Sequence, residues 1–469
     1  MPPSEARPSD WKWRTIIEPF RVKSVEPIGF TTLRERERLL DRAGYNLFRL
    51  PADKILIDLL TDSGTAAMSA AQWGAVMRGD ESYAGATSFH RFERVVRRLT
   101  GYRHVLPVHQ GRAAERVLMG IICRPGSVVI ANSHFDTTRA NVEAAGARAL
   151  DLPAAGALDS AKTAPFKGNM DLRALEKNIR EIGPRNIPLI LMTVTNNSLG
   201  GQPASLANLR GVATIARRWG LRFFLDAARF AENAYFVKTR EKGQESRPAR
   251  EIAREMFRLA SGCLMSAKKD AFANIGGFLA FNDNALLGPA RSSLILGEGF
   301  PTYGGLAGRD LEAIAQGLDE VTDEHYLSYR VRSIEYLASG LRRSGVPIVE
   351  PPGGHAVYID AKRFLPQLPP RCYPAQALAC ELYRVGGVRS VEVGSLMFGK
   401  SGQEGFMPAP MELVRLAFPR RVYTQSHVDY LIEVFAALAR GRRAIRGLRL
   451  LNAPAVLPHF TARLSPAPS

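Results

Sequence analysis

The chain has 469 residues, of which 46% are hydrophobic, enough for one large domain plus a smaller one and too apolar for global disorder. A formal net charge of +18 raises the question of a nucleic-acid partner, yet the densest basic clusters, Arg91–Arg103 and Arg440–Arg449, fall on helix-like patterns without interleaved aromatics. Four cysteines with no CxxC spacing, no apolar run of membrane-spanning length and an N-terminus without a secretion signal's apolar core lead us to expect a soluble, cytoplasmic protein with neither a membrane nor a nucleic-acid partner.

Taken in order, Glu18–Ile28 reads as extended and Thr31–Gly44 as a helix with a Thr start and a Gly stop. Ile55–Ser69 is an apolar run ending in Thr61-Asp62-Ser63-Gly64-Thr65, a small polar loop before a helix, where backbone N–H groups suit a carboxylate. Gly79–Gly101 is a loop carrying Tyr83, then an amphipathic helix. Arg103–Gly120 reads as strand, turn, helix, with Gln110-Gly111-Arg112 at the helix start, a place for a phosphate. His104 and His109 are wrongly spaced for a helical metal pair.

Ser127–Gly146 repeats the strand, loop, helix pattern, with Phe135 and Asp136 in the loop. Residues 151–170 form a connecting loop. Pro188–Ser205 is a buried strand ending at Asn196-Asn197, and Ser205 caps a helix that Gly220 closes. Arg222–Phe236 holds a strand ending at Asp226, with Arg229 three residues on. Ser261–Gly277 then places Ser266, Lys268 and Lys269 at the end of an apolar run. A lysine desolvated there has the lowered pKa that imine formation needs, although a solvated Lys-Lys-Asp turn would read the same in isolation.

Strands alternating with amphipathic helices predict a mostly parallel sheet covered on both faces, with ligands bound beyond the carboxyl ends of its strands. Gln110, Phe135, Asn197, Asp226 and Lys269 all fall at such ends. After about residue 310 helices with short strands suggest a second domain. The expected division is an N-terminal arm with part of the small domain over 1–60, a large domain over 61–310 and a small domain over 311–469.

A phosphate cradle, a ring, an Asp, an Asn, an Arg and a Lys on one sheet edge suit pyridoxal 5'-phosphate. The stretches LLTDSGT, RGDESYAG, HQGRAAE, FDTTR, VTNNSLGGQP, LDAARFAENAYF, MSAKKD, EGFPTYGGLAG, GGHA and RLAFPRRVYT resemble, in this order and over nearly the whole chain, the aromatic amino acid β-eliminating lyases, tryptophanase and tyrosine phenol-lyase. The resemblance implies the type I aminotransferase fold, a homotetramer and a bound monovalent cation.

It implies Lys269 as the Schiff-base lysine, with Gln110, Gly111, Arg112, Ser266 and Lys268 around the phosphate. Phe135 would stack on the cofactor ring, Asp226 face its nitrogen, and Asn197 and Arg229 its 3′-oxygen. Ser63 and Arg415 would hold the substrate carboxylate, while Glu81, with the backbone at Gly64 and Asn274, would hold potassium. Tyr83 would act near the leaving group. Asp136, Val393 and His459 resemble the tryptophanases at the positions that read the leaving group, which favours indole over phenol. The expected reaction is β-elimination of L-tryptophan to indole, pyruvate and ammonia. The alternative is a phenol-lyase, or a lyase for a modified aromatic or other β-substituted amino acid. Ala113, and Ala86-Thr87 after YAG, depart from the family pattern.

Overall fold

In a computed structural model residues 16–402 and 405–468 are described. The first thirteen residues, read above for a secretion signal, lie outside them. A seven-stranded sheet forms the centre of the larger lobe. Its strands are β1 (His104–Val108), β2 (Val128–Ala131), β3 (Arg148–Asp151), β4 (Leu189–Thr193), β5 (Phe223–Asp226), β6 (Gly262–Ser266) and β7 (Gly277–Phe281). Their spatial order is β1-β7-β6-β5-β4-β2-β3. Only β7 runs against its neighbours, so the carboxyl ends of the other six share one edge. Runs such as Leu189–Thr193 are buried throughout, as expected for strands covered on both faces.

Two apolar cores lie on the two faces of this sheet. Alternate residues divide between them: Ile190 and Met192 point to one, Leu189 and Leu191 to the other. Two connecting helices matter for the site, α1 (Gly111–Ile122) after β1 and α2 (Asp136–Ala144) after β2. Thr32 caps the N-terminal helix Leu33–Ala43 in a capping box, and Gly44 closes it with φ 62°.

The smaller lobe has its own core, drawn from Leu40–Leu59 and from residues beyond 330. Its three-stranded antiparallel sheet is ordered β9-β10-β8, with β8 Ala356–Asp360, β9 Val391–Val393 and β10 Leu413–Ala417. The change from one core to the other falls inside the helix α3 (Glu324–Arg343), later than residue 310. Tyr326 and Leu327 pack in the larger lobe, whereas Ile334, Leu337 and Leu341 pack in the smaller. The helix Gly308–Glu320 also belongs to the larger core, through Leu311, Ile314 and Leu318.

One local expectation changes. The helix after Thr61–Thr65 starts only at Ala70, and Ser69 with Gln72 caps it in a capping box. Its first N–H groups are therefore engaged, and the Thr61–Thr65 loop does not present a helix terminus to an anion.

Candidate active site

The carboxyl edge of the large sheet and the small lobe line a cavity that opens to solvent. Gln110, Gly111 and Arg112 reach it from beyond β1, and Phe135 and Asp136 from beyond β2. Asn197 arrives from beyond β4, Asp226 and Arg229 from β5, and Ser266, Lys268 and Lys269 from β6. Ser63, Arg415 and His459 complete the lining among the residues expected from sequence.

Helix α1 starts at the cavity with no side chain capping it, which leaves first-turn N–H groups open. A Cβ on Gly111 would lie 2.7 Å from Ser266 Cβ, so glycine is what lets this helix start against the end of β6. Arg112 lies close enough to Lys268 to lower its pKa, with burial the larger cause. Two basic side chains, open N–H groups and a hydroxyl form a set suited to a phosphate dianion.

Lys269 is pushed down to about 8 by burial first and by Arg229 second, while Asp62 and Asp226 oppose the shift. Burial pushes the Asp226 carboxyl up, against the pull of Lys269, the Ala228 N–H and Arg229. A cationic ring N–H at Asp226 would remove that penalty, so the pair fits pyridoxal phosphate.

Arg229 departs from its expected commitment. Its Nε and Nη2 donate to Asp62 at 3.0 and 2.7 Å, so most of the fork is spent on a buried ion pair. Asn197 is similarly occupied: its Oδ1 accepts from Tyr358 Oη at 2.5 Å and Arg415 Nη1 at 3.0 Å. Arg415 also donates from Nη2 to the Leu60 carbonyl at 2.9 Å, but its buried Nε has no partner among the described residues. A guanidinium that lines the cavity is a place for a carboxylate.

His459 Nε2 lies 3.1 Å from Asp136 Oδ2, and both residues are buried. The tail is held there by Asn46, whose Nδ2 donates to the carbonyls of His459 and Ala462 at 3.2 and 2.9 Å. Phe48 and Phe460 stand beside this pair, their rings 4.9 Å apart.

Four expected residues lie off the cavity lining in this chain, besides Gly64. Val393 is 3% exposed and packs with Val391, Leu413 and Tyr358, while Val391 is the β9 residue that lines the cavity. Tyr83 is 71% exposed and sits against Phe300 and Tyr303, ring centroids 5.7 and 5.2 Å away. Asn274 Nδ2 donates to the Gly64 carbonyl at 3.1 Å, but Glu81 is turned to Arg309, 3.4 Å away. The Gly64 backbone adjoins the Asn274 carbonyl, which a Cβ on Gly64 would approach to 2.8 Å, but with Glu81 turned away the expected potassium ligands do not converge within this chain. His104 and His109 are partnered by Asn284 and Glu298, and no group of three metal-ligating side chains occurs among the described residues.

Sequence reasoning missed the ion network under the site. Arg420 has no exposed surface and donates to Asp62, Glu232 and Asp270 at 2.9, 2.9 and 2.8 Å. Arg330 adds a contact to Glu232 at 3.1 Å. Arg229, Arg330 and Arg420 thus balance Asp62, Glu232 and Asp270 in charge. Glu115, Thr195, Met397 and Phe460 were also missed as lining residues. Asp62 and Arg420 do sit inside TDSGT and PRRVYT, but a buried pairing between distant segments has no local signature.

The fold and site define an enzyme of the pyridoxal-phosphate-dependent type I class. In overall fold the chain is similar to Sphingomonas wittichii serine palmitoyltransferase (TM-score 0.59, 15% identity, 88% of this chain and 97% of that one). It is also similar to a double mutant of Thermus thermophilus aspartate aminotransferase (TM-score 0.57, 16% identity, 89% and 100%). The beta-eliminating lyase family model matches residues 58–434. The chain is 59% identical over 449 residues to a tryptophanase of Hyphomonas neptunium, covering 96% of this chain and 99% of that protein. It is 48% identical over 454 residues to a tyrosine phenol-lyase of Symbiobacterium thermophilum, covering 97% and 99%. The chain belongs to the beta-eliminating lyase family and is a lyase dependent on pyridoxal phosphate.

Proposed function

We propose that this lyase cleaves L-tryptophan to indole, pyruvate and ammonia, and works as a cytoplasmic homotetramer with a bound potassium ion. One observation carries the reading: the cavity that holds Lys269 and Asp226 also holds the buried Asp136–His459 pair. A carboxylate paired with an imidazole is an acceptor suited to an indole N–H. A phenolate leaving group calls instead for a cation, and the Asp136 carboxylate is the opposite in charge.

Bound in the cavity, pyridoxal phosphate supplies an electron sink for charge developing at the substrate Cα. Gln110, Gly111, Arg112, Ser266 and Lys268 would hold its phosphate, Phe135 would cover its ring, and Asp226 would keep a proton on its nitrogen. Asn197 and Arg229 would face its 3′-oxygen with the donors that their bonds to Tyr358, Arg415 and Asp62 leave free. Arg415 and Ser63, both in the cavity lining, would take the substrate carboxylate. Lys269, with its pKa near 8, loses its proton readily enough to take one from Cα at neutral pH. Asp136 orients the indole, and His459 stabilises the charge of that carboxylate.

Tyr83 and Glu81, assigned to the leaving group and to potassium, lie on the surface of this chain. That position suits a site completed by another copy of the chain. The four cysteines form no disulfide, which suits a reducing compartment, and no helix among the described residues is long and apolar enough to cross a membrane. The departures Ala113 and Ala86 are both 3% exposed and pack in cores, so they support no change of substrate.

The test is to incubate the holoenzyme with L-tryptophan, L-tyrosine or S-alkylcysteine, with sodium or potassium present, and to measure pyruvate, indole and phenol. Equal yields of indole and pyruvate, raised by potassium, are expected. Faster release of phenol from tyrosine would overturn the substrate assignment.

A further inference from the structure

One carboxylate in the cavity wall has no part in the chemistry above. Glu115 lies one turn into α1, just beyond the Gln110–Arg112 cup, and is 8% exposed. Both its oxygens are taken by α2. Thr138 Oγ1 donates to Oε1 at 2.6 Å, and Thr137 Oγ1 and Asn141 Nδ2 donate to Oε2 at 3.0 and 3.3 Å. Helix α2 carries Phe135 at its cap and Asp136 as its first residue. The titratable groups facing Glu115 are Asp226 from β5 and Asp136 from α2.

We infer that Glu115 is a positioning residue, clamping the first turn of α2 to the phosphate-cup helix and thereby setting where Asp136 stands relative to Lys269. A buried carboxylate is a costly way to hold two hydroxyls unless its extra acceptor capacity is needed. Ionised, it accepts from all three α2 donors in charge-assisted bonds; an amide keeps the Thr138 contact only by reversing it, its NH2 donating to that hydroxyl, and loses the charge. The Asp136–His459 pair needs such support, since Asp136 begins a helix without a side-chain cap. Misplacing a reacting group by about 1 Å costs on the order of a hundredfold in rate. Burial chiefly, then Asp226 and Asp136, push the Glu115 carboxyl up to about 7, so the clamp tightens as pH rises through neutrality.

The inference rests on indole as the leaving group, and the experiment separates the two claims. Holoenzyme carrying Glu115→Gln is assayed on L-tryptophan and on S-methylcysteine, whose thiolate leaves without help from Asp136, between about pH 6 and 9. We expect kcat/KM on tryptophan to fall at least about tenfold more than on S-methylcysteine, with loss of the inflection near pH 7. Equal losses on both substrates with an unchanged pH profile would make Glu115 a packing residue and overturn the inference. If Glu115→Gln does not fold, the double variant Thr137→Val, Thr138→Val removes two donors and leaves the carboxylate; the same substrate split is expected, and its absence is decisive against the clamp. Wild-type enzyme that releases pyruvate from S-methylcysteine but no indole from tryptophan would instead overturn the substrate reading itself.

Discussion

The wall of the cavity that holds Lys269 hangs from the ends of five strands of one sheet, each followed by a short loop. The facing wall, with Arg415, Val391, Met397, His459 and Phe48, is gathered from an antiparallel sheet, a short helix, the C-terminal tail and the N-terminal arm. The first wall inherits its geometry from a buried parallel sheet and needs few special contacts. The second depends on side-chain anchors such as Asn46 on the tail and the Arg229–Asp62–Arg420 chain at the lobe boundary. Cofactor chemistry is thus built on the sheet framework, whereas substrate reading joins Asp136 of that framework to His459 and Arg415 of the facing wall.

The sharpest way to break this contrast is Lys269→Ala. Pyruvate release from tryptophan should fall by about 10⁴-fold, and the visible absorbance of the bound cofactor should change, while the melting temperature stays near that of wild type. Retained pyruvate formation would remove the first wall's central residue from the reaction.

Arg420→Met tests the anchor between the walls. It leaves Asp270 without its cation and strips one partner from Asp62 and Glu232. We expect a loss of about 3–5 kcal/mol in unfolding free energy, read by denaturant titration. Stability within about 1 kcal/mol of wild type would show that the network is replaceable by packing.

His459→Phe removes a second-wall side chain and with it the partner of Asp136 on the first. A decrease of about a hundredfold in kcat/KM for tryptophan is expected, with S-alkylcysteine turnover nearly unchanged. Comparable losses on both substrates would place the histidine in the shared chemistry and blur the division between the walls.

The smallest expected effect concerns two carboxylates behind β9. Glu392 and Glu412 are both 2% exposed, and each has a buried oxygen without a partner among the described residues. Burial, with Glu412 beside it, pushes Glu392 up to about 8; burial pushes Glu412 up to about 7, against Ser395 and Lys362. A raised carboxyl pKa favours the folded state fully below the unfolded value near 4.5, and that contribution is lost as pH rises to 7 and 8. Melting temperature should therefore fall between about pH 5 and 8, and Glu412→Gln should flatten the slope, an effect on the order of 1–2 kcal/mol. A slope unchanged in the variant would assign the pH dependence elsewhere.

The sequence made the first wall legible and the second only in part. Gln110, Phe135, Asp226 and Lys269 each follow an apolar run, so strand periodicity alone places them on one edge. Arg415 and His459 were reached through family resemblance, because no local pattern tells that a tail histidine meets an aspartate at 136. Arg420 and Glu115 were not reached at all. Each is a charged residue in an amphipathic or polar context, where solvent exposure is the ordinary outcome. The boundary expected near residue 310 follows a change in pattern, whereas the cores change over within α3, whose sequence continues as one helix.

That shared helix also constrains how the molecule can move. The first turn of α3 is fastened to the larger lobe, with Lys238 2.9 Å from Glu324, and Arg330 ties its next stretch to Glu232. Its last turns are embedded in the smaller lobe. Arg330 itself reaches both lobes, since its Nη2 also donates to the His355 carbonyl at 3.3 Å. One continuous helix is therefore packed into two cores, and any movement of one lobe against the other has to bend it or unpack one of its ends.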